Sequence, residues 1–171
     1  MESVAEERWN TILDFPMYEV SNFGEIRNKD SGKVLRQSKN GYGIVKVGLF
    51  REGFRTSRSV ALLVADAFVF GRNDLCNTPI HLNMDHTDNR ADNLRWRPRW
   101  FAWKYSQQFD RPRTELTSKP IYEHLDKVWY DDAFEAAMVN GLLVREIIKS
   151  IHTTQFQPVW PTMQQFSFLG E

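Results

Sequence analysis

Turn-forming residues punctuate the first third of the chain so often that no helix longer than a turn or two fits there. Ser21-Asn22-Phe23-Gly24, Lys29-Asp30-Ser31-Gly32, Asn40-Gly41-Tyr42-Gly43 and Arg51-Glu52-Gly53 recur between short runs that contain apolar residues. Asn, Asp and Ser side chains bond the backbone one or two residues on, and Gly takes the left-handed conformations that turns need. The stretches between, such as Tyr18-Glu19-Val20, Glu25-Ile26-Arg27 and Ile44 to Phe50, have strand length and strand composition. Residues 1–56 therefore read as one small twisted antiparallel sheet.

The period then changes. From Ser59 to Phe70 apolar residues fall at helical spacing with Ala enrichment, which predicts a buried helix ended by Gly71. Ile80-His81-Leu82-Asn83-Met84 alternates apolar and polar, so a short strand is expected to feed straight into Asp85-His86. Leu94-Arg95-Trp96 is a second short strand, and Pro98 suits the first position of a helix over 98–108. Residues 110–120, polar with two prolines, read as a linker. Lys127 to Tyr130 predicts a strand, and Asp132 to Gly141 a helix stopped by Asn-Gly. Leu142 to Ile151 predicts a second helix with Val144, Ile147, Ile148 and Ile151 on one face, and Gln165 to Phe168 a last strand. Helix, Gly-containing turn, helix is the helix-turn-helix layout, and equally that of a plain two-helix packing unit. The fold class expected is α+β. It has a β-rich module over 1–56, a central module over 57–109, a linker over 110–126 and a helix-turn-helix-like module over 127–171.

Net charge is zero, so the molecule as a whole has no field to draw it to nucleic acid. Any such partner needs local positive charge. A lone cysteine, Cys76, excludes an internal disulfide and a multi-cysteine zinc site. No apolar run approaches the roughly 18 residues of a membrane span, so no membrane partner is expected. The start MESVAEERWN lacks the apolar core of a secretory signal, and the expected compartment is the cytoplasm, of a bacterial or phage-infected cell.

One stretch concentrates metal- and proton-competent side chains: NMDHTDNRADNLRW, Asn83 to Trp96. Strand, Asp-His, loop, Asn, strand, helix is the order of a ββα-metal nuclease site. That chemistry needs a carboxylate to hold a divalent cation against the scissile phosphate, a neutral His to activate water, and a group to steady them. Adjacent residues at a strand end point to opposite sides, so Asp85 can face a metal while His86 faces a water, with Asn93 supporting His86. A hard site with few protein ligands suits Mg²⁺ or Mn²⁺. Asp88, Asn89 and Asp92 read as turn-makers. His81 reads as a surface or packing residue, and His124 and His152 as structural.

With these residues in view, the chain resembles the HNH nucleases, in particular the phage intron-encoded homing endonucleases. Trp9 with Tyr18 to Arg27 is similar to the N-terminal DNA-binding module of that group, and Val60 to Phe68 to its helix before the active site. Phe134-Glu135-Ala136-Ala137 and the Ile147-Ile148 region are similar to its C-terminal helix-turn-helix repeat. The resemblance implies an enzyme that nicks or cuts double-stranded DNA at a long, loosely read site. It makes Asp85 the metal ligand, His86 the general base and Asn93 the supporting Asn. It also marks departures. Ala61 stands where the family has His, the loop from His86 to Asn93 is shorter than usual, and Ala102 stands where the family's last metal ligand belongs.

Seven bases, Arg90, Arg95, Arg97, Arg99, Lys104, Arg111 and Arg113, fall in 24 residues against only Asp92 and Asp110, a local charge of +5. Trp96, Trp100, Phe101 and Trp103 interleave with them, a footprint that suits a phosphate backbone. A basic helix packing its Trp residues on a core explains the Trps but not the bases. Arg51, Arg55 and Arg58 form a second cluster at the sheet edge, where a β-ribbon can enter a groove. Acidic residues at 123–135 sit awkwardly beside a DNA-reading helix pair. Two functions compete: a metal-dependent DNA endonuclease, and a non-catalytic descendant that binds DNA, RNA or a protein assembly. A blander reading is an α+β interaction protein whose Asp-His pair is accidental.

Overall fold

The computed structural model describes residues 6–153 and 157–169. The chain forms two compact units, Met1–Arg99 and Trp100–Glu171. No helix among the described residues is long and apolar enough to cross a membrane.

In the first unit, β1 (Trp9–Ile12), β2 (Phe15–Ser21) and β3 (Ile26–Asn28) make one antiparallel sheet. A second comprises β4 (Gln37–Lys39), β5 (Val45–Arg51) and β6 (Phe54–Ser59). Two sheets therefore stand where a single one is expected. The pairing that would join them shrinks to one bridge, Arg27 with Val34. The segment after the Gly32 turn is too short to extend the ladder. Alternation along β2 and β5 turns Phe15, Tyr18, Val20, Val47 and Leu49 inward. They meet Val60, Val64 and Ala65 of α1 (Val60–Phe68) in one core, which Leu94 and Trp96 complete. Ala61 is buried in that core.

Helix α1 stops at Phe68, short of Gly71. Val69 is extended at φ −101° and ψ 120°, and the Trp96 indole N–H donates to its carbonyl at 2.9 Å. This bond gives the end of the helix a tertiary partner. Strand β7 (Thr78–His81) pairs antiparallel with β8 (Leu94–Arg97), with His81 opposite Leu94. The strand thus ends four residues before Asp85, and does not feed straight into Asp85-His86 as the alternation suggests.

The second unit takes up most of α2 (Arg99–Gln108), whose start follows Pro98. Within the stretch read as linker, Leu116–Ser118 forms a 3₁₀ turn and β9 (Ile121–Glu123) a strand. That strand lies in the middle of a sheet, between β10 (Val128–Tyr130) and β11 (Phe166–Phe168). Ile121 and Glu123 are fully buried. The Glu123 carboxylate closes the β9–β10 turn by accepting from the N–H groups of Leu125 and Asp126, at 2.8 and 2.6 Å.

Helices α3 (Ala133–Asn140) and α4 (Val144–His152) follow. Gly141 ends α3 in the left-handed region at φ 62°, where only Gly is free of a Cβ penalty. The Gln108 amide of α2 clasps the α3–α4 turn, donating to Leu142 O at 3.1 Å and accepting from Val144 N at 2.9 Å. The acidic residues around the helix pair have local work. Asp132 caps α3 by accepting from Phe134 N and Glu135 N, both at 2.8 Å. Glu135 accepts from Asp131 N at 2.6 Å. Asp132 also pairs with Arg113. Asp132→Ala is expected to lower the urea stability of the chain by about 1–2 kcal/mol, the cost of a lost N-cap.

Candidate active site

Residues 82–93 join β7 to β8 as a polar loop, and Asn93 closes it. The buried Asn93 side chain accepts from Asn83 N at 3.0 Å and donates to Asn83 Oδ1 at 2.9 Å and to Asp88 O at 2.8 Å. Asn83 Nδ2 in turn donates to Asp88 Oδ2 at 2.8 Å. Asn93 and Asp88 therefore act as a staple across the loop mouth. Met84 takes φ 65° at the sharpest point, a costly conformation for a long side chain.

Asp85 and His86 are exposed in this turn. Both lie beyond the end of β7, so strand pleat does not set their directions. Asp85 Oδ1 accepts from Thr87 Oγ1 at 2.7 Å and Thr87 N at 2.8 Å. These two bonds hold its carboxyl below the usual carboxylate range, so it is ionised at neutral pH. Asn93 touches neither residue through any of the bonds above; its side chain bonds Asn83 and the Asp88 carbonyl instead.

Two residues that sequence reasoning set aside belong to the cluster. His81, the last residue of β7, is buried, with Nε2 3.0 Å from Asn89 Oδ1. Its Nδ1 lies 3.3 Å from Nδ1 of His86, and the two rings meet edge-on with centroids 5.1 Å apart. Asn89 is buried as well. The available signal was positional. His81 is the last rung of the ladder, opposite the residue after Asn93, so any loop closed by Asn93 must pass over it.

Turns of the two N-terminal sheets brace the loop. Gly24 sits at φ 92°, and a Cβ there would lie 3.3 Å from the Cβ and carbonyl oxygen of Asn89. Ala91 N donates to Asn22 O at 2.9 Å, and the Arg90 guanidinium lies 4.5 Å from the Phe23 ring centre. At Gly43 a Cβ would lie 3.6 Å from His86 Cβ.

Burial lowers the pKa of His81, against a smaller opposing effect of the Asn89 bond. The unfolded chain therefore binds more protons as pH falls through imidazole's ordinary value of about 6.5. Stability present above that pH is lost as pH drops from it toward the folded value. Urea midpoints measured across this window are expected to fall with pH, and to fall less steeply in His81→Gln.

The bases divide by exposure. Arg51, Arg55 and Arg99 are exposed in the first unit, with Arg51 paired to Glu52 at 3.3 Å. Arg58 is half-buried against Phe15, 5.3 Å from the ring centre. Arg90 pairs with Asp92 at 3.5 Å, and Arg95 donates to the carbonyls of Asp92 and Leu94 at 3.0 and 2.8 Å. Arg97 is buried and donates to Trp96 O at 2.8 Å, so its charge belongs to the interior and not to a phosphate-facing surface. In the second unit Lys104 and Arg111 are exposed, Lys104 lying 5.1 Å from the Trp100 ring centre. Arg113 is exposed but committed to Asp132. Of the interleaved aromatics, Trp96 and Phe101 are core residues, while Trp100 and Trp103 are exposed and Trp100 stacks on Trp160.

Among the described residues no group of three or more His, Cys, Asp or Glu could hold a metal ion. Asp85 is an exposed carboxylate of the turn, and a divalent ion placed there would take its remaining positions from water and phosphate oxygens.

Residues 7–50 match the NUMOD4 motif. Two uncharacterized HNH endonucleases of Acanthamoeba polyphaga mimivirus are similar to the chain. One is 28% identical over 86% of this chain and 43% of its own length, the other 37% over 55% and 24%. The DNA endonuclease I-HmuI of Bacillus phage SP01 is 33% identical over 63% of this chain and 60% of its own. The chain thus spans less than two thirds of each of these relatives. A solved structure, titled as DNA binding and cleavage by the HNH homing endonuclease I-HmuI, matches the fold. Its TM-score is 0.56 at 22% identity, with 96% of this chain and 99% of that one covered.

Proposed function

For a chain that is a homologue of the HNH endonucleases, carries the NUMOD4 motif and has the I-HmuI fold, we propose the function of a metal-dependent endonuclease of the homing type, nicking or cutting double-stranded DNA. The observation that carries this reading is the pairing of an ionised, exposed Asp85 with an exposed His86 in a loop stapled by Asn93.

In this reading Asp85 holds the cation and His86 takes a proton from the attacking water. Asn93 keeps the loop backbone in place beneath them. A divalent cation at Asp85, Mg²⁺ or Mn²⁺, would polarise the scissile phosphate and stabilise the leaving oxygen. The exposed Arg55 and Arg99 of the first unit and Lys104 and Arg111 of the second stand outside the ion pairs described above and suit phosphate contact. Arg97 is withdrawn from that set by its burial.

A second reading has its own support. Ala61, Ala102 and the single carboxylate favour a catalytically inactive descendant that binds nucleic acid or joins a protein assembly. Incubation of the purified chain with supercoiled plasmid and Mg²⁺ or Mn²⁺ separates the two. Nicked or linear product that disappears on chelation supports the endonuclease. Salt-dependent DNA binding without product favours the binding-only descendant.

A further inference from the structure

We propose that the cleft between α2 and α4 is a binding site for a small amphipathic carboxylate, whose apolar body sits between the helices and whose charge meets the bases at the rim. The residues that line it all belong to the second unit, and its volume is about 400 Å³, within the usual range for a small-molecule site. The local sequence opens it. Pro112 lies beyond the end of α2, where it has no N–H to extend the helix, and the chain turns off through Thr114 and Thr117. Trp103, Lys104, Gln107 and Gln108 repeat at helical spacing and line one wall from α2. Leu143, Val144 and Ile148, at the start of α4, line the other, with Phe134 of α3 beside them. The walls are therefore apolar except for what α2 and the rim supply.

Most of the neutral polar groups here are already engaged. Gln108 uses both ends of its amide on the α3–α4 turn. The hydroxyls of Thr114 and Thr117 lie 3.2 Å apart, and Thr117 donates to Thr114 O at 3.1 Å. Exposed Gln107 adds one neutral amide. The rim is otherwise positive: Lys104, Arg111 and Arg145 are exposed, and among the described residues no acid lines the cleft. Glu146 offsets Arg145 at 3.2 Å, so Lys104 and Arg111 carry the excess charge. A neutral hydrocarbon would leave these cations unanswered, and a bare phosphate would leave the apolar walls to water. A carboxylate on an apolar body satisfies both, and its planar head matches the fork of an arginine. On the endonuclease reading Lys104 and Arg111 also suit phosphate contact, but the cleft's fit to a carboxylate does not depend on that reading.

The test is a titration of ¹⁵N-labelled full chain, without DNA or metal, followed by amide and indole shifts. The probes are naphthoate, the neutral naphthylmethanol of the same shape, and inorganic phosphate. Naphthoate is expected to give saturable shifts centred on the Trp103 indole and the amides of Leu143 to Ile148. The alcohol is expected to bind there about tenfold more weakly, the worth of a charge-assisted hydrogen bond. Phosphate is expected to give no saturable shift at these groups. Joint replacement Lys104→Gln and Arg111→Gln, at two exposed positions, is expected to lower naphthoate affinity about tenfold, to that of the alcohol. Trp103→Ala, also exposed, is expected to weaken both organic probes alike. The site is overturned if naphthoate does not saturate these shifts or if the alcohol binds equally well. It is overturned too if phosphate alone reproduces the shifts, or if the Lys104 and Arg111 replacements leave naphthoate affinity unchanged. Because the titration involves no DNA and no cleavage, absent nicking beside these shifts would overturn the endonuclease reading alone.

Discussion

On the endonuclease reading, His86→Ala is expected to lower plasmid nicking by about 10²–10⁴-fold, the usual contribution of a positioned general base. The reasoning is local. His86 is exposed and its described ring contact is the edge-on one with His81, so its loss should alter stability by no more than about 1 kcal/mol. It carries no phosphate-pairing charge when neutral, so a gel-shift titration should give the same DNA affinity as the unaltered chain at matched salt. Rate and affinity therefore separate cleanly. A loss below tenfold would remove His86 from the proton-transfer role and pass it to His81, whose ring touches it.

Asn93→Ala is expected to lower the urea stability of the chain by about 3 kcal/mol, since it deletes three hydrogen bonds worth about 1 kcal/mol each. Two of the groups left behind, Asn83 N and Asp88 O, belong to the backbone that closes the loop. Asn93→Asp sharpens the test. It keeps an acceptor for Asn83 N but sets carboxylate oxygen against Asn83 Oδ1 and Asp88 O, where Asn93 donates. The Asp variant should therefore be no better than Ala despite its near-identical shape. A cost below about 1 kcal/mol for either would mean that the loop is held by something else, most directly the Asn83–Asp88 bond.

Much of the fold was legible because it rests on local signals. Apolar spacing located α1, and Asn-Gly located the end of α3, because Gly141 supplies a left-handed φ that other residues resist. What failed depended on partners far along the chain. Helix α1 ends at Phe68 where the carbonyl of Val69 meets Trp96, 27 residues on. Strand β9 hid in a proline-flanked polar stretch. Its burial comes from β10 and β11 on either side, with β11 more than forty residues away. The single N-terminal sheet became two because a pairing propensity does not say where a ladder thins to one bridge.

The candidate site divides the same way. Asp85, His86 and Asn93 were visible as residue types at close spacing. His81 and Asn89 were not, since neither type nor neighbours distinguish a packing His or a turn Asn from members of a hydrogen-bond chain. The basic stretch was visible as charge, yet burial decides which of its members face solvent, and Arg97 does not. The acidic residues near the helix pair, awkward as a charge pattern, are cap and turn acceptors: Asp132, Glu135 and Glu123 each hold backbone N–H groups.

The close approach of Gly24 to Asn89 limits how such chains can be recombined. The motif match covers residues 7–50 and includes Gly24, while Asn89 lies well outside it. A chimera that grafts a foreign N-terminal segment onto this loop must bring a residue without a Cβ at position 24, or the graft will press on the Cβ and backbone carbonyl of Asn89. The two pieces look interchangeable along the sequence, but they must match at this contact. A library of exchanged segments should sort its survivors by this one contact before it sorts them by the DNA they bind.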